Sequence, residues 1–511
     1  MSSELFEFMD YLRIMEVSFL SLTISLVLLV LFITSLWQKK KKYQFLPPGP
    51  TPWPLLGNPA YVVRGRETKQ YPELCKKYGP VFTIWKLTEP MVVLCGYEVV
   101  KDALVSHGEQ FSGRPLLPVT HVASKGFAFI SANDQLWRQL RRTSLTILRN
   151  CGMGKKPMQD KMHKEVQHLI SAITDKGGKP FNPYPFLAFA TSNVISMILF
   201  GKRHDYKDRQ LMELITNIRL HIGNFQALLN QLCNTFPVLL RIPAIRNHLF
   251  KASSYLQSFL KKEIDLHKQT LDSSSPRDFI DHFLLKIKEE APDADSYLSD
   301  TGLLMIITGL LAAGTDTTTF SLKYSLVVMA HFPDIQAKVQ QEIDQVTGSL
   351  RFAGIKDREH LPYTNAVIHE VQRLMELASV GIGHAVTEDI QFNGFTIPKG
   401  TTIIPFFSSV LKDPTQWETP DEFNPRHFLD DNGQFCPKPA FMAFSAGKRV
   451  CLGESLARME LFLLFCSLLQ HFTFSTAPGT NLQNGKALRD NKLMLITSSE
   501  LCAVPRTISS K

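Results

Sequence analysis

From about residue 130 to 345, apolar positions recur at three- and four-residue spacing, and strand-like alternation is sparse. That period belongs to helices burying one face. Before this run, VFTIWKL and MVVLCG read as the two strands of a hairpin; after it, DIQFNGFTIP and the stretch near LMLITSS offer further short strands. The pattern predicts a mostly α fold with small accessory β-sheets. Two stretches are apolar without amphipathic spacing. Val17 to Trp37 carries no charge over 21 residues; at about 1.5 Å per residue it spans roughly 30 Å, the hydrocarbon core of a bilayer. The second, FQALLNQLCNTFPVLLRIPAIRNHLF near 225 to 250, is broken by proline and holds two arginines. Such a composition suits the membrane interface or packing between helices.

The flanks of the first stretch set its orientation. Glu4, Glu7, Asp10 and Glu16 precede it against one Arg13, and Lys39 to Lys42 follow it. The positive-inside bias places residue 39 onward in the cytoplasm. A cleaved signal would have a shorter apolar core and a basic lead, so a signal anchor is expected. Prolines at 47, 48, 50, 52, 54 and 59 then predict a stiff spacer. No Gly/Ser linker or repeat follows residue 60. The expected organisation is an anchor over 1–38, a basic and Pro-rich spacer over 39–59, and one catalytic domain over 60–511.

Composition narrows the chemistry. With 511 residues, 44% of them hydrophobic, a large buried core is available. The formal charge of +9 includes one basic run beside the membrane segment, without basic residues spread along a face among aromatics. Membrane phosphate is thus the expected partner, and nucleic acid is not. The eight cysteines form no CxxC pair and several lie in apolar runs, which argues against a zinc ribbon or disulfide scaffold and for a reducing compartment.

One cysteine stands apart. In FSAGKRVCLGE, Cys451 lies among glycines and cations. A nucleophilic cysteine wants a histidine base, and none is near in sequence. A heme thiolate wants an anionic sulfur held by backbone amides, with glycines letting the chain approach a flat macrocycle. Gly447 and Gly453 suit that need, Arg449 would pair with a propionate, and Phe444 would cover the sulfur. A second motif, LLAAGTDTTTFS at 310 to 321, lies inside a long apolar helical run. Gly314 and the threonines are poor helix-interior residues, so a local opening of the ladder is expected, with a back-bonded polar patch as the alternative. Asp316 is costly to bury there, which marks a functional candidate. In EVQR, Glu370 and Arg373 share one helix face; in WRQLR, Trp137 and Arg141 do.

Phe444, Gly447, Arg449, Cys451 and Gly453 match F-x-x-G-x-R-x-C-x-G, and the stretch resembles the heme-binding loop of a cytochrome P450, a heme-thiolate monooxygenase. The resemblance implies that Cys451 is the proximal ligand of a heme b iron. Ala313, Gly314, Asp316 and Thr317 fall on the family's A-G-x-D/E-T signature, which implies that Ala313 borders the heme, Thr317 hydrogen-bonds dioxygen and Asp316 relays protons. It further implies a buried Glu370–Arg373 pair joined by a second arginine, Arg426 of NPRHF. Trp137, Arg141, Arg114 of FSGRP and His384 of GHAVT are implied propionate partners, although Gly383 stands where close relatives have proline.

The resemblance covers nearly the whole chain and is greatest to the vertebrate microsomal family 2 group, through FSGRP, LRNCGMGK, EVQR and PKGTTI. That group implies oxidation of lipophilic foreign compounds, fatty acids or steroids. It also implies electrons from NADPH through a flavoprotein reductase, with cytochrome b5 as an occasional second donor. The implied location is the endoplasmic reticulum membrane, single-pass, with the catalytic domain facing the cytoplasm. Arg138, Arg142, Arg149, Lys155, Lys156 and Lys448 are candidates for the reductase-docking face. Substrate contacts are expected from Leu116 to Phe129, from Ile222 to Leu229, and at Ala378, Ser379 and Val380, with Phe127, Phe129, Phe225 and Ala313 lining an apolar pocket. Alternatives are a heme-thiolate isomerase or dehydratase acting on lipid peroxides, a non-catalytic heme-binding membrane protein and, more remotely, a cysteine hydrolase.

Overall fold

The computed structural model describes residues 41–62, 66–224, 227–290, 296–348, 351–477 and 499–506, with six positions between 19 and 34. The expected membrane span, apart from those six positions, and the strand expected near LMLITSS lie outside the described residues, as does Phe225. Helices dominate, in chain order α1 (Glu67–Tyr78), α2 (Tyr97–Lys101), α3 (Pro118–Ser124), α4 (Asp134–Asn150), α5 (Lys156–Thr174), α6 (Tyr184–Leu199), α7 (Arg209–Asn224) and α8 (Leu228–Thr235). There follow α9 (Pro243–Thr270), α10 (Phe279–Glu290), α11 (Asp300–His331), α12 (Pro333–Thr347), α13 (Pro362–Met375), α14 (Phe407–Leu411) and α15 (Glu454–His471).

Helix α11 is the axis of the molecule. Ser299 caps it, its hydroxyl accepting from the Gly302 amide at 3.1 Å, which satisfies one of the orphan donors of the first turn. It packs against α6, α7, α9 and α15. Among the described residues it is the one helix long and apolar enough to cross a membrane, yet it is the buried centre of the fold. No opening of its ladder occurs: α11 runs unbroken over 32 residues. Instead the hydroxyls bond carbonyls four residues back, Thr317 to Ala313 and Thr319 to Thr315, each at 2.7 Å. Gly314 serves packing, because a Cβ there would stand 3.2 Å from Ile195 of α6.

The expected hairpin forms as β1 (Val81–Lys86) and β2 (Glu89–Leu94). Two later segments join it: β3 (His384–Ala385), and β6 (Thr402–Pro405), which pairs parallel to β2 with Met91 opposite Thr402. The sheet order is β1-β2-β6-β3. DIQFNGFTIP folds as the hairpin β4 (Ile390–Phe392) and β5 (Phe395–Ile397). Its turn places Asn393 and Gly394 at positive φ, the requirement that favours Asn-Gly in a two-residue hairpin. A last pair joins β7 (Phe472–Thr476) to β8 (Leu501–Pro505). The Pro-rich spacer does not stand free: the Thr83 amide donates to the Pro48 carbonyl at 2.9 Å, and Gly49 lies so close that a Cβ would reach within 1.9 Å of the Thr83 carbonyl oxygen.

Candidate functional site

Cys451 sits at the end of a tight loop between a short 3-10 turn, Gly447–Arg449, and α15. Its amide donates to the Phe444 carbonyl at 2.9 Å, closing the loop on itself. The loop is fixed to the body at Gly447, whose φ is +70° and where a Cβ would lie 1.7 Å from the Leu104 carbonyl oxygen. That carbonyl belongs to a π-helical turn, Asp102–Ser106. Gly447 therefore gives close approach to the protein's own backbone, rather than to a macrocycle as the sequence suggested. Gly453 has nothing within 4 Å of its Cβ position and leaves that side of the loop open. Cys451 is exposed there. The surrounding protein pushes its thiol pKa up, while the Gly453 and Glu454 amides and Arg141 favour the thiolate against it.

α15 begins three residues beyond Cys451 and packs along α11. On α11, buried along nearly all its length, Gly309, Ala313 and Thr317 are exposed. They recur every fourth residue and so form one open stripe. Thr317 and Ala313 thus share a face, but Asp316 does not. Its carboxylate is 4% exposed and accepts a hydrogen bond from the Tyr184 hydroxyl of α6 at 2.9 Å. Burial raises its pKa, opposed by the Tyr184 bond and by Arg219.

The expected anion-binding side chains do assemble. Arg449 lies over the Trp137 ring at 3.7 Å and donates to the carbonyls of Ser112 and Ala132 at 2.7 and 2.8 Å. Arg141 donates to the Val450 carbonyl beside the cysteine. Arg114 donates to Ile382 and Gly383, while its Nε is buried without a partner. His384 is buried and bonded at Nδ1 to the Phe111 carbonyl. Burial and the neighbouring Arg114 lower its pKa to about 3, so it stands neutral. Among the described residues none of the three arginines has a carboxylate ion-pair partner. Burial and mutual repulsion lower Arg114 to about 10 and Arg449 to about 9. Arg114 and Arg449, buried without an ion-paired carboxylate, fit a ligand bringing its own negative charge, and the accessible sulfur of Cys451 together with the open stripe on α11 fits a flat metal macrocycle. Two propionates and one iron are what heme would supply to this donor set.

Another structural expectation is corrected. Glu370 and Arg373 are fully buried and bidentate at 2.7 and 2.8 Å, but Arg426 is exposed and bonds neither. The third partner is its neighbour His427, whose Nδ1 lies 3.2 Å from both Glu370 oxygens, joined by the Asn424 amide at 2.9 Å. In the one-turn 3-10 helix Pro425–Phe428, with about three residues per turn, Pro425, His427 and Phe428 face inward and Arg426 alone faces solvent. The signal was the register of P-x-x-F, whose third member here is histidine. Tyr184 and Arg219 carried no motif and were missed. A surface cavity of about 770 Å³ lined by Gln159, His163, Arg351, Phe352 and Gln470 shares no residue with this site.

The family description cytochrome P450 matches residues 47–501. The chain is similar to cytochrome P450 2C20 of Macaca fascicularis, 42% identical over 489 residues, covering 95% of this chain and 99% of that one. It is 40% identical to cytochrome P450 2C8 of Homo sapiens over 488 residues, with the same coverage. This chain belongs to the cytochrome P450 family, with that family's mostly helical fold and small sheets. Membership implies a heme cofactor.

Proposed function

We infer that this protein is a membrane-anchored monooxygenase that inserts one atom of O₂ into a lipophilic small molecule, a foreign compound, fatty acid or steroid, with electrons from NADPH through a flavoprotein reductase. The observation that carries the reading is an exposed Cys451 whose neighbour Val450 is bonded by Arg141, on a loop leading into α15, which packs along the α11 that carries the open Ala313–Thr317 stripe. Heme bound there supplies the activation of dioxygen, with the thiolate donating electron density to it. Cys451 would hold its iron; Arg114, Arg141, Arg449, Trp137 and His384 would hold its propionates. Thr317 would accept a hydrogen bond at Oγ1, whose own proton goes to the Ala313 carbonyl, and Asp316 would hold and release a proton at its carboxyl. The buried Glu370–Arg373–His427 network would keep the cysteine side rigid without touching the reaction.

The remaining assignments rest on surface character. Leu228, Phe236 and Val238 are exposed, at 71%, 49% and 61%, beside Arg241, and Trp53 is 65% exposed. These apolar residues support contact between the 228–242 segment and the membrane surface, with residues 1–38 as the anchor and the domain from 60 onward in the cytoplasm at the endoplasmic reticulum. Arg138 and Lys448 share Glu109 as an ion-pair partner, which leaves net positive charge on the cysteine side for an acidic reductase. Phe127 packs close to Gly302 at the start of α11, supporting a role at the pocket's edge. Val380 packs against the Phe82 and Phe406 core, so Ala378 and Ser379 are the better substrate contacts in that loop.

The test is direct. Purified protein reduced under carbon monoxide should show a thiolate red shift of the Soret band, lost in Cys451→Ser. With reductase and NADPH it should oxidise members of a lipophilic panel. Turnover of a lipid hydroperoxide without reductase, and none with it, would overturn the monooxygenase reading.

A further inference from the structure

Away from the cysteine loop, two other thiols meet. Cys75 lies near the end of α1, and Cys95 follows β2 directly. The Gly79 amide donates to the Cys75 carbonyl at 2.9 Å, and the Cys95 amide donates to the Pro80 carbonyl at 2.8 Å. Both residues therefore hold the ends of one peptide link, Gly79–Pro80. Their side chains join the same apolar cluster, formed with Tyr71, Leu74, Phe82 and Phe406. Cys95 is 1% exposed within it, whereas Cys75 packs at its edge and is partly open to solvent. The Cys95 thiol bonds the Cys75 sulfur, and both are free thiols.

We propose that Cys75 and Cys95 form a peroxide-responsive dithiol, in which Cys75 takes an oxygen from hydrogen peroxide and Cys95 resolves it, closing a reversible disulfide that clamps α1 to the end of β2. Attack on peroxide needs a thiolate that solvent can reach and a second thiol beside it. The bond from Cys95 lowers the Cys75 pKa to about 7, against the opposing effect of burial. The same bond, with burial, raises Cys95 well above an ordinary thiol, so Cys95 waits protonated. Burial pushes Cys151 up to about 12 and also raises Cys233 and Cys466, which leaves those three unreactive. The Cys75 thiolate attacks one peroxide oxygen: S–O forms, O–O breaks, and the departing hydroxide takes a proton from solvent to become water. The Cys95 sulfur then attacks the Cys75 sulfur: S–S forms, S–O breaks, and the hydroxyl leaves as a second water with the Cys95 proton. Two thiols lose two electrons, and one hydrogen peroxide becomes two waters. In a reducing compartment such a disulfide is transient, because cellular thiols reopen it by exchange. The chemistry uses neither heme nor a reductase and is independent of the monooxygenase reading.

Trypsin places the two cysteines on separate peptides, 70–76 and 87–101. Full-length holoenzyme treated with a small excess of hydrogen peroxide, quenched with catalase and digested without reductant should yield these peptides linked, lighter by two hydrogens than the free pair. Dithiothreitol should separate them. Cys95→Ser should leave a sulfenic acid at Cys75 that dimedone traps, whereas Cys75→Ser should give neither a link nor an adduct at Cys95. The disulfide closes a loop of roughly 20 residues, so the oxidised parent should melt about 2–5 °C above the reduced protein. Neither variant should show that shift. A dimedone adduct at Cys75 of the parent with no linked peptide overturns the proposal, as does a Cys75 that stays reduced while the partly exposed Cys436 is oxidised. A link that forms without moving the melting temperature overturns the clamp. Where a variant folds poorly, the linked peptide and the melting shift of the parent decide alone.

Discussion

His427 and Arg426 are adjacent, both can be cationic, and the structure gives them opposite consequences. His427→Ala removes a hydrogen bond at 3.2 Å to both oxygens of a carboxylate that is fully buried. A bond of this charged kind contributes about 1.5–3 kcal/mol, and a buried partner left short of donors costs the upper part of that range. Arg426→Ala removes an exposed side chain without contact to Glu370, and such surface changes stay within about ±0.5 kcal/mol. Arg373→Met sets the upper bound. It deletes two bonds to Glu370 and three to the carbonyls of Leu411, Pro420 and Glu422, all at 2.7–2.8 Å, and strands a buried charge at about 3–5 kcal/mol. Against a total stability of about 5–15 kcal/mol, that loss should greatly reduce the yield of folded protein. Urea unfolding of the parent and three variants, followed by circular dichroism under one set of conditions, orders them. The expected order of damage is Arg373→Met, His427→Ala, then Arg426→Ala with no measurable effect. Equal damage from His427→Ala and Arg426→Ala would refute the assignment of the third partner.

Two further outcomes follow from local geometry. Gly447→Ala places a methyl 1.7 Å from the Leu104 carbonyl oxygen at a φ of +70°, and should abolish heme incorporation, read as Soret absorbance per protein, together with a large drop in melting temperature; Gly453→Ala, with nothing within 4 Å, should melt like the parent, and a parent-like Gly447→Ala contradicts the packing described. At His267, burial lowers the pKa, but the Asp278 carboxylate 2.9 Å away and the Glu263 carbonyl outweigh it and raise the net value. A group whose pKa is raised on folding stabilises fully below its unfolded pKa, about 6.5, and loses that contribution as pH rises through the folded value. The stability gap between parent and His267→Gln should therefore narrow between pH 6 and pH 9; a gap that widens with pH would reverse the sign of this reasoning.

What sequence alone conveyed depended on how local each signal was. The hairpins at 81–94 and 390–397 were legible because strand period and turn chemistry lie within fourteen residues. The loop around Cys451 was legible because its five fixed positions fall within ten residues, 444 to 453. β3 and β6 were not, because two- and four-residue strands carry too few positions for a period and exist only through partners far away in the chain. The partners of Asp316 were hidden for a related reason: Tyr184 is 132 residues distant, and an isolated tyrosine at a helix start has no spacing to betray it. Arg426 shows the remaining weakness: a motif named the right segment, but only the geometry of a 3-10 turn decides which of two adjacent side chains points inward.

The parallel ladder between β2 and β6 also bears on the order of events at the ribosome. Met91 cannot meet Thr402 until more than three hundred further residues have been made, which at about 5–20 residues per second takes on the order of 15–60 s. For that interval the Val92, Val93 and Leu94 edge, fully buried in the finished protein, has no neighbour on its β6 side. An unpaired apolar edge is a template for pairing with another chain. Nascent chains of this protein should therefore need chaperone cover on the first sheet until the last quarter of the sequence emerges.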